Sequence, residues 1–181
     1  MLRSRIIPCL LVHNKGLVKT VKFKEPKYVG DPINAVKIFN EKEVDELMVL
    51  DIDATKENRG PNLEMIKNLA DECRMPFCYG GGITTVEEAR KIINLGAEKV
   101  ALSFSALNNI SLCQEIGSII GNQSVVVVLD LKKNKYHAVH YIAKDRAICA
   151  EDVFIPKSNT IRFKFGNLEI EREGTIIKET D

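Results

Sequence analysis

Several residues of this 181-residue chain have the type and placement to move a proton or hold an anion. Asp51 and Asp53 close the apolar run ELMVLDID, and Asp130 closes SVVVVLD. An apolar run that ends in a carboxylate is costly to bury unless the carboxylate caps a loop or meets a ligand. Asp130 is therefore placed to act as a general acid or base, or else to receive loop amides. Asp51 and Asp53 lie two apart and point the same way on an extended strand, but two carboxylates do not specify a metal. Gly80-Gly81-Gly82 follows PFCY and lets the backbone approach a ligand, with free N–H groups for an anion; a tight turn into a helix is the alternative. Ser103, after KVAL, is placed to donate to the same anion, with Ser105 close behind. His13 follows Leu11 by two, so it shares that residue's face if the strand continues; it is placed to transfer a proton near neutral pH or to serve as a loop histidine hydrogen-bonded to solvent. His137 and His140 are three apart and face opposite sides of a strand, so they share no metal.

These residues need elements to position them, and the first 131 residues supply an alternation. RIIPCLLV (5–12) reads as a strand covered on both faces, although MLRSRIIPCLLVHNKG faintly mimics a leader. VKTVKFK (18–24) reads as a half-exposed strand or hairpin arm. Asp31-Pro32 opens a helix with Val36, Ile38 and Phe39 as its apolar face. After the 46–53 strand, Pro61 opens a second helix carrying Leu63, Ile66 and Leu69. PFCYGGG (76–82) follows as a strand. Thr85 and Glu88 then form a capping box for a third helix, with Gly96 past its end. KVALS (99–103), a helix over 108–120 and SVVVVLDLK (124–132) complete the series. Such β,α alternation predicts a parallel sheet, either doubly wound or part of a (β/α)₈ barrel, whose ligands gather at the carboxyl ends of the strands. From residue 135 the alternation gives way to period-2 runs (HAVHYIA, TIRFKF, LEIERE, TIIKE), read as an antiparallel meander, with weak signals in KDRAICAEDVFIPKSN. The expected organisation is a (β/α) half-barrel over 1–134 and a β-rich tail over 135–181.

Charge and composition exclude several classes. With 26 Lys+Arg against 25 Asp+Glu the net charge is +1, which gives no bulk attraction to nucleic acid or a membrane surface. No run approaches the ~18 apolar residues of a membrane span. The five cysteines (9, 73, 78, 113 and 149) are odd in number and hold no C-x-x-C pair, which fits reduced thiols in the cytoplasm.

Six segments in order, RIIPCLLV with GLVKT, GDPINAVKIFNEKEVDELMVLDIDAT, PFCYGGGI, GAEKVALS and GNQSVVVVLDLKKN, resemble the cyclase subunit of imidazole glycerol phosphate synthase. The likeness covers roughly residues 1–134 and is nearest to a paralogous branch associated with surface-polysaccharide or flagellar-sugar genes. It implies a (β/α)₈ barrel, here about half of one and so truncated. It also implies that ammonia from a glutaminase partner acts on a phosphorylated ribulosyl-aminoimidazole-carboxamide nucleotide, giving imidazole glycerol phosphate and aminoimidazole carboxamide ribotide without a cofactor. The family pairs two aspartates as acid and base. Asp130 matches the fifth-strand member, while Leu11 stands at the first-strand position, with His13 as the candidate substitute. The resemblance puts Lys19 and Asp51 near substrate, Gly81, Gly82 and Ser103 at one phosphate site, and Phe104 where a small hydroxyl residue is usual. It puts Arg5, Glu46 and Lys99 in a charged ring that gates ammonia, and Glu98 against the partner. Two alternatives stand beside this lyase reading. One is an amidotransferase-partnered enzyme of surface-sugar modification. The other is a non-catalytic half-barrel that binds a partner or a second copy of itself.

Overall fold

The computed structural model describes residues 5–21 and 24–128, and beyond them the backbone of strands at 131–133, 139–143, 146–149, 160–165 and 168–173. The chain divides into two units, Met1–Val128 and Leu129–Asp181.

The first unit runs β1 (Cys9–His13), β2 (Gly16–Val21), β3 (Lys24–Gly30), α1 (Pro32–Glu41), β4 (Leu47–Asp51), α2 (Leu63–Glu72) and β5 (Phe77–Gly80). It continues with α3 (Val86–Asn94), β6 (Lys99–Leu102), α4 (Phe104–Asn108), α5 (Ile110–Ile120) and β7 (Val125–Val127). Its seven-stranded sheet has the order β3-β2-β1-β4-β5-β6-β7. From β1 onward every pair is parallel, while β2 and β3 add an antiparallel hairpin at one edge. The parallel strands keep chain order with no reversal, and α1 packs on α2, α2 on α3, and α3 on α5. A doubly wound sheet reverses direction at a switch point and splits its helices between two faces. Single winding is the arrangement of a barrel wall, so the unit is a partial (β/α)₈ barrel.

The core lies between the sheet and its helices. Val12, Leu47, Val49, Phe77, Tyr79, Val100 and Leu102 meet Val36, Ile66, Leu69, Ala89, Ile92, Leu112 and Ile116 there. Each fully buried aliphatic or aromatic side chain contributes roughly 1.5–3 kcal/mol relative to exposure. Alternation then puts Leu11, Leu50, Gly80, Ala101 and Val126 on the other face, where the register sets them in one row across the five parallel strands. The row is tight: a Cβ on Gly80 would lie 2.7 Å from the Leu50 Cδ2.

Helix starts follow the expected chemistry. Asp31 accepts from the Asn34 N–H (3.1 Å) with Pro32 next, and Thr85 with Glu88 forms the capping box. Four expectations need correction. Ile38 is 55% exposed, since it sits two residues (about 200°) around α1 from the buried Val36. Asn62 rather than Pro61 caps α2 by accepting from the Met65 N–H (3.0 Å), which leaves Leu63 exposed. The first strand begins at Cys9, because Pro8 has no N–H to give; its carbonyl still accepts from Met48 (2.9 Å), while Ile6 and Ile7 stay exposed. Finally, SVVVVLDLK is not one strand. Residues 125–127 join the parallel sheet and 131–133 pair elsewhere, with Leu129 and Asp130 outside the described residues.

In the second unit β8 (Leu131–Lys133), β9 (Val139–Ala143) and β10 (Arg146–Cys149) form a three-stranded antiparallel sheet. β11 (Thr160–Phe165) and β12 (Leu168–Glu173) form a separate antiparallel pair in place of one continuous meander. β10 falls in the segment with weak signals, while His137 and the whole of TIIKE lie outside the described residues. Among the described residues no helix is long and apolar enough to cross a membrane.

Candidate active site

The carboxyl ends of the parallel strands carry most of the residues singled out above, and the structure sorts them into distinct groups. Asp51, the last residue of β4, continues the Leu47–Val49 alternation and so points toward the helices. Its carboxylate is buried and fully engaged. It accepts from Arg59 Nη1 (2.8 Å) and Nη2 (2.9 Å) and from the backbone N–H groups of Asp53 (3.1 Å) and Ala54 (3.2 Å). This bidentate pair, with Glu57 accepting from Arg59 Nε, raises the guanidinium further above its usual range. Burial, and the nearby Asp51 charge, push the Tyr79 hydroxyl up as well. Asp51 thus anchors the β4–α2 loop.

Asp53 does not share its direction, which corrects the sequence expectation. β4 ends at Asp51, so the two-residue alternation does not reach Asp53. Asp53 instead accepts from His13 Nδ1 (2.7 Å) and from the Asn14 N–H (2.8 Å). Burial alone would raise its pKa, but the Asn14 and His13 hydrogen bonds and nearby positive charge outweigh it and hold the carboxyl below its ordinary value. The Asn14 amide donates to His13 Nε2 (3.1 Å).

Gly81 and Gly82 have φ of +124° and +72°, a region that favours glycine. A Cβ on Gly81 would lie 2.5 Å from the Asp51 carbonyl oxygen, and one on Gly82 2.6 Å from the Arg59 carbonyl oxygen. The glycines are therefore required for packing against the anchored loop, whatever else their N–H groups do. Ser103 precedes α4, and its carbonyl accepts from Leu107 (3.2 Å); Ser105 and Phe104 lie within that short helix. Lys19 is exposed on β2 beside Lys27. Asp130 lies outside the described residues.

Two openings at this end escaped sequence reading because loops distant in sequence form them. A cleft of about 500 Å³ is lined by Asn14, Lys15, Asp53, Glu57, Arg59 and Asn62, among others. A groove of about 220 Å³ runs on past Lys15 and Asn62 to Asp31 and Met65. Among the described residues no group of three or more His, Cys, Asp or Glu is placed to hold a metal.

The opposite end of the sheet holds a compact charge cluster. Glu46, 2% exposed just before β4, accepts from Arg5 Nη2 (2.6 Å) and from Lys99 Nζ with both oxygens (2.7 and 2.6 Å). The structure therefore brings together Arg5, Glu46 and Lys99. Glu98 is exposed beside them in sequence, with its N–H on the Phe77 carbonyl (2.8 Å).

A singly wound β/α wall with loops and glycines at one end and a buried ion cluster at the other defines a protein of the (β/α)₈-barrel class. Comparison narrows this: the chain belongs to the histidine biosynthesis protein family, whose model matches residues 5–175. It is 61% identical over 133 residues to a Pseudomonas aeruginosa protein provisionally named imidazole glycerol phosphate synthase subunit hisF2, covering 74% of this chain and 53% of that protein. A Leptospira interrogans protein provisionally named subunit HisF is 45% identical, covering 97% of this chain and 71% of its own length. The imidazole glycerol phosphate synthase subunit HisF of Methanococcus maripaludis is 39% identical over 98% of this chain and 63% of that protein. The family likeness thus runs beyond residue 134, where sequence reading ended it, and the chain spans about half the length of the first of these relatives.

Proposed function

We propose that this chain is an ammonia-using cyclase unit of the imidazole glycerol phosphate synthase type. It would take ammonia from a glutaminase partner and form imidazole glycerol phosphate and aminoimidazole carboxamide ribotide. The observation that carries this reading is the buried Glu46 between Arg5 and Lys99. A buried ion cluster of this kind is a poor stabiliser compared with apolar packing, so its place at the amino end of the sheet calls for another role. A charged ring there fits the passage of ammonia toward chemistry at the carboxyl ends, with Glu98 against the partner. Gly81, Gly82 and Ser103 would hold a substrate phosphate, with Lys19 near the substrate, Asp51 anchoring the loop against which the glycines pack, and Asp130 as acid or base. The described free thiols suit a reducing cytoplasm.

Product formation from the ribulosyl-aminoimidazole-carboxamide nucleotide with excess ammonium, against an Asp130→Asn control, tests the reading. No turnover by folded protein rejects it. Leu11 favours one second reading, since it gives no proton where a carboxylate would serve; ammonia transfer to a sugar substrate would then take its place.

A further inference from the structure

Val12 packs into the helix-covered core, so Leu11 and His13 present the opposite face of β1. Leu11 shares its row with Leu50, Gly80 and Ala101. His13 follows that row by two residues at the carboxyl end of β1, as Gly82 and Ser103 follow it by two in sequence after β5 and β6. At this position Leu11 can transfer no proton, and the Asp51 carboxylate is already engaged by Arg59 and two amides.

His13 is held as a proton-transfer group needs to be. The buried Asp53 stays ionised and can only accept, so the hydrogen of the His13 imidazole sits on Nδ1 (2.7 Å). Nε2 then carries the lone pair. Its described partner is the exposed amide of Asn14 (3.1 Å), a bond a ligand displaces at small cost. A buried carboxylate orienting an imidazole whose other nitrogen is open is the arrangement of a general base. The Asn14 N–H already ties the turn to the Asp53 loop (2.8 Å), so the clasp does not depend on the imidazole alone. The other charges near this pair are Lys56, which acts on Asp53, and Lys15, Glu57 and Arg59, which line the same cleft.

We propose that His13 is a proton-transfer residue of the carboxyl-end site beside Asp130, with Nε2 as the working atom and Asp53 as its positioning residue; this rests on the ammonia-using reading above. When ammonia adds to a carbonyl carbon of the substrate, the N–C bond forms and the proton shed by nitrogen passes to Nε2. The imidazolium, held by Asp53, returns that proton to the alkoxide oxygen to give a carbinolamine, and Nε2 then takes a second proton from nitrogen and delivers it to the departing hydroxyl. Water leaves, the C=N bond forms, and His13 ends neutral.

The full chain is assayed with ammonium and the ribulosyl-aminoimidazole-carboxamide nucleotide as wild type, His13→Asn and His13→Ala, each first shown to be folded by thermal unfolding. His13→Asn keeps a donor for Asp53 and removes Nε2. The expected result is a loss of kcat of about a hundredfold or more with KM little changed. Added imidazole is expected to restore part of the rate in His13→Ala, a response no purely structural role gives. A wild type that is active alongside an equally active His13→Asn refutes His13 alone, as does a loss of rate that imidazole leaves unrestored. A wild type that turns nothing over refutes the cyclase reading and the role of His13 with it.

Discussion

Asp51 offers the sharpest check on how the carboxyl end is built. Replacing it by Asn keeps an oxygen for the Asp53 and Ala54 amides but sets an NH₂ group against the Arg59 guanidinium. Breaking a fully buried ion pair by removing one partner costs about 3–5 kcal/mol. Here the carboxylate is buried (2% exposed) but the Arg59 side chain is 37% exposed. Solvent screening of that half brings the expected loss to about 2 kcal/mol. With a urea slope of 1–3 kcal/mol/M, the midpoint falls by about 1 M at unchanged slope. Far-ultraviolet circular dichroism follows the transition, since the described helices all lie in the first unit. Arg59→Met is expected to remove the same interaction, so the double variant is less destabilised than the sum of the singles by about 1 kcal/mol. An Asp51→Asn chain as stable as wild type, or strict additivity with Arg59→Met, refutes the anchor.

Three further outcomes follow from the same structure. Glu88 is held below its ordinary value of 4.5: burial raises it, but the hydrogen bonds from Thr84 and Thr85 outweigh that. Its contribution is therefore present above that value and lost as pH falls through the lower folded value. Glu88→Ala should cost about 1 kcal/mol at neutral pH, with a gap to wild type that closes in acid urea titrations. Burial, and secondarily the Glu46 charge, push the Cys78 thiol up to about 12, while Cys9 is exposed. Peptide mapping after alkylation should find Cys9 modified in the folded chain and Cys78 modified only after unfolding. Asn14 and Lys15 both take left-handed backbone (φ +48° and +63°) in the β1–β2 turn. Lys15→Gly should therefore stabilise by roughly 0.5–1 kcal/mol in thermal unfolding, since glycine takes that conformation without a Cβ clash.

What the sequence made legible was local chemistry. The Asp31 cap, the Thr85–Glu88 box and the Gly96 stop are decided within four residues, and the β,α alternation is decided by apolar period. Elements decided by partners were lost. β3 reads KEPKYVG, with Pro26 and three charges, and is a strand because β2 offers its edge. Asp51 and Asp53 look equivalent until β4 stops at the first of them, a fact set by where the Arg59 loop closes. Their assignments to Arg59 and to His13 join residues 8 and 40 apart, which no local spacing encodes. The glycine run was recognised, but its tight approach to the Asp51 and Arg59 carbonyls depends on the folded loop.

The two ends of the sheet handle carboxylates differently, and this bears on the chemistry. At the amino end one buried carboxylate faces two cations, Arg5 and Lys99, so the cluster carries a net positive charge. At the carboxyl end Asp51 and Asp53 are each matched by an internal donor set, Arg59 for one and His13 with the Asn14 amide for the other. Lys15 makes no described ion pair there. An anionic ligand arriving at this end therefore meets one carboxylate paired with a guanidinium, a second that keeps its charge beside a neutral imidazole, and the Lys15 ammonium. Under the proposal above, the Asp53 charge serves the imidazolium formed during the reaction, which leaves the Lys15 ammonium to meet an anion at the cleft.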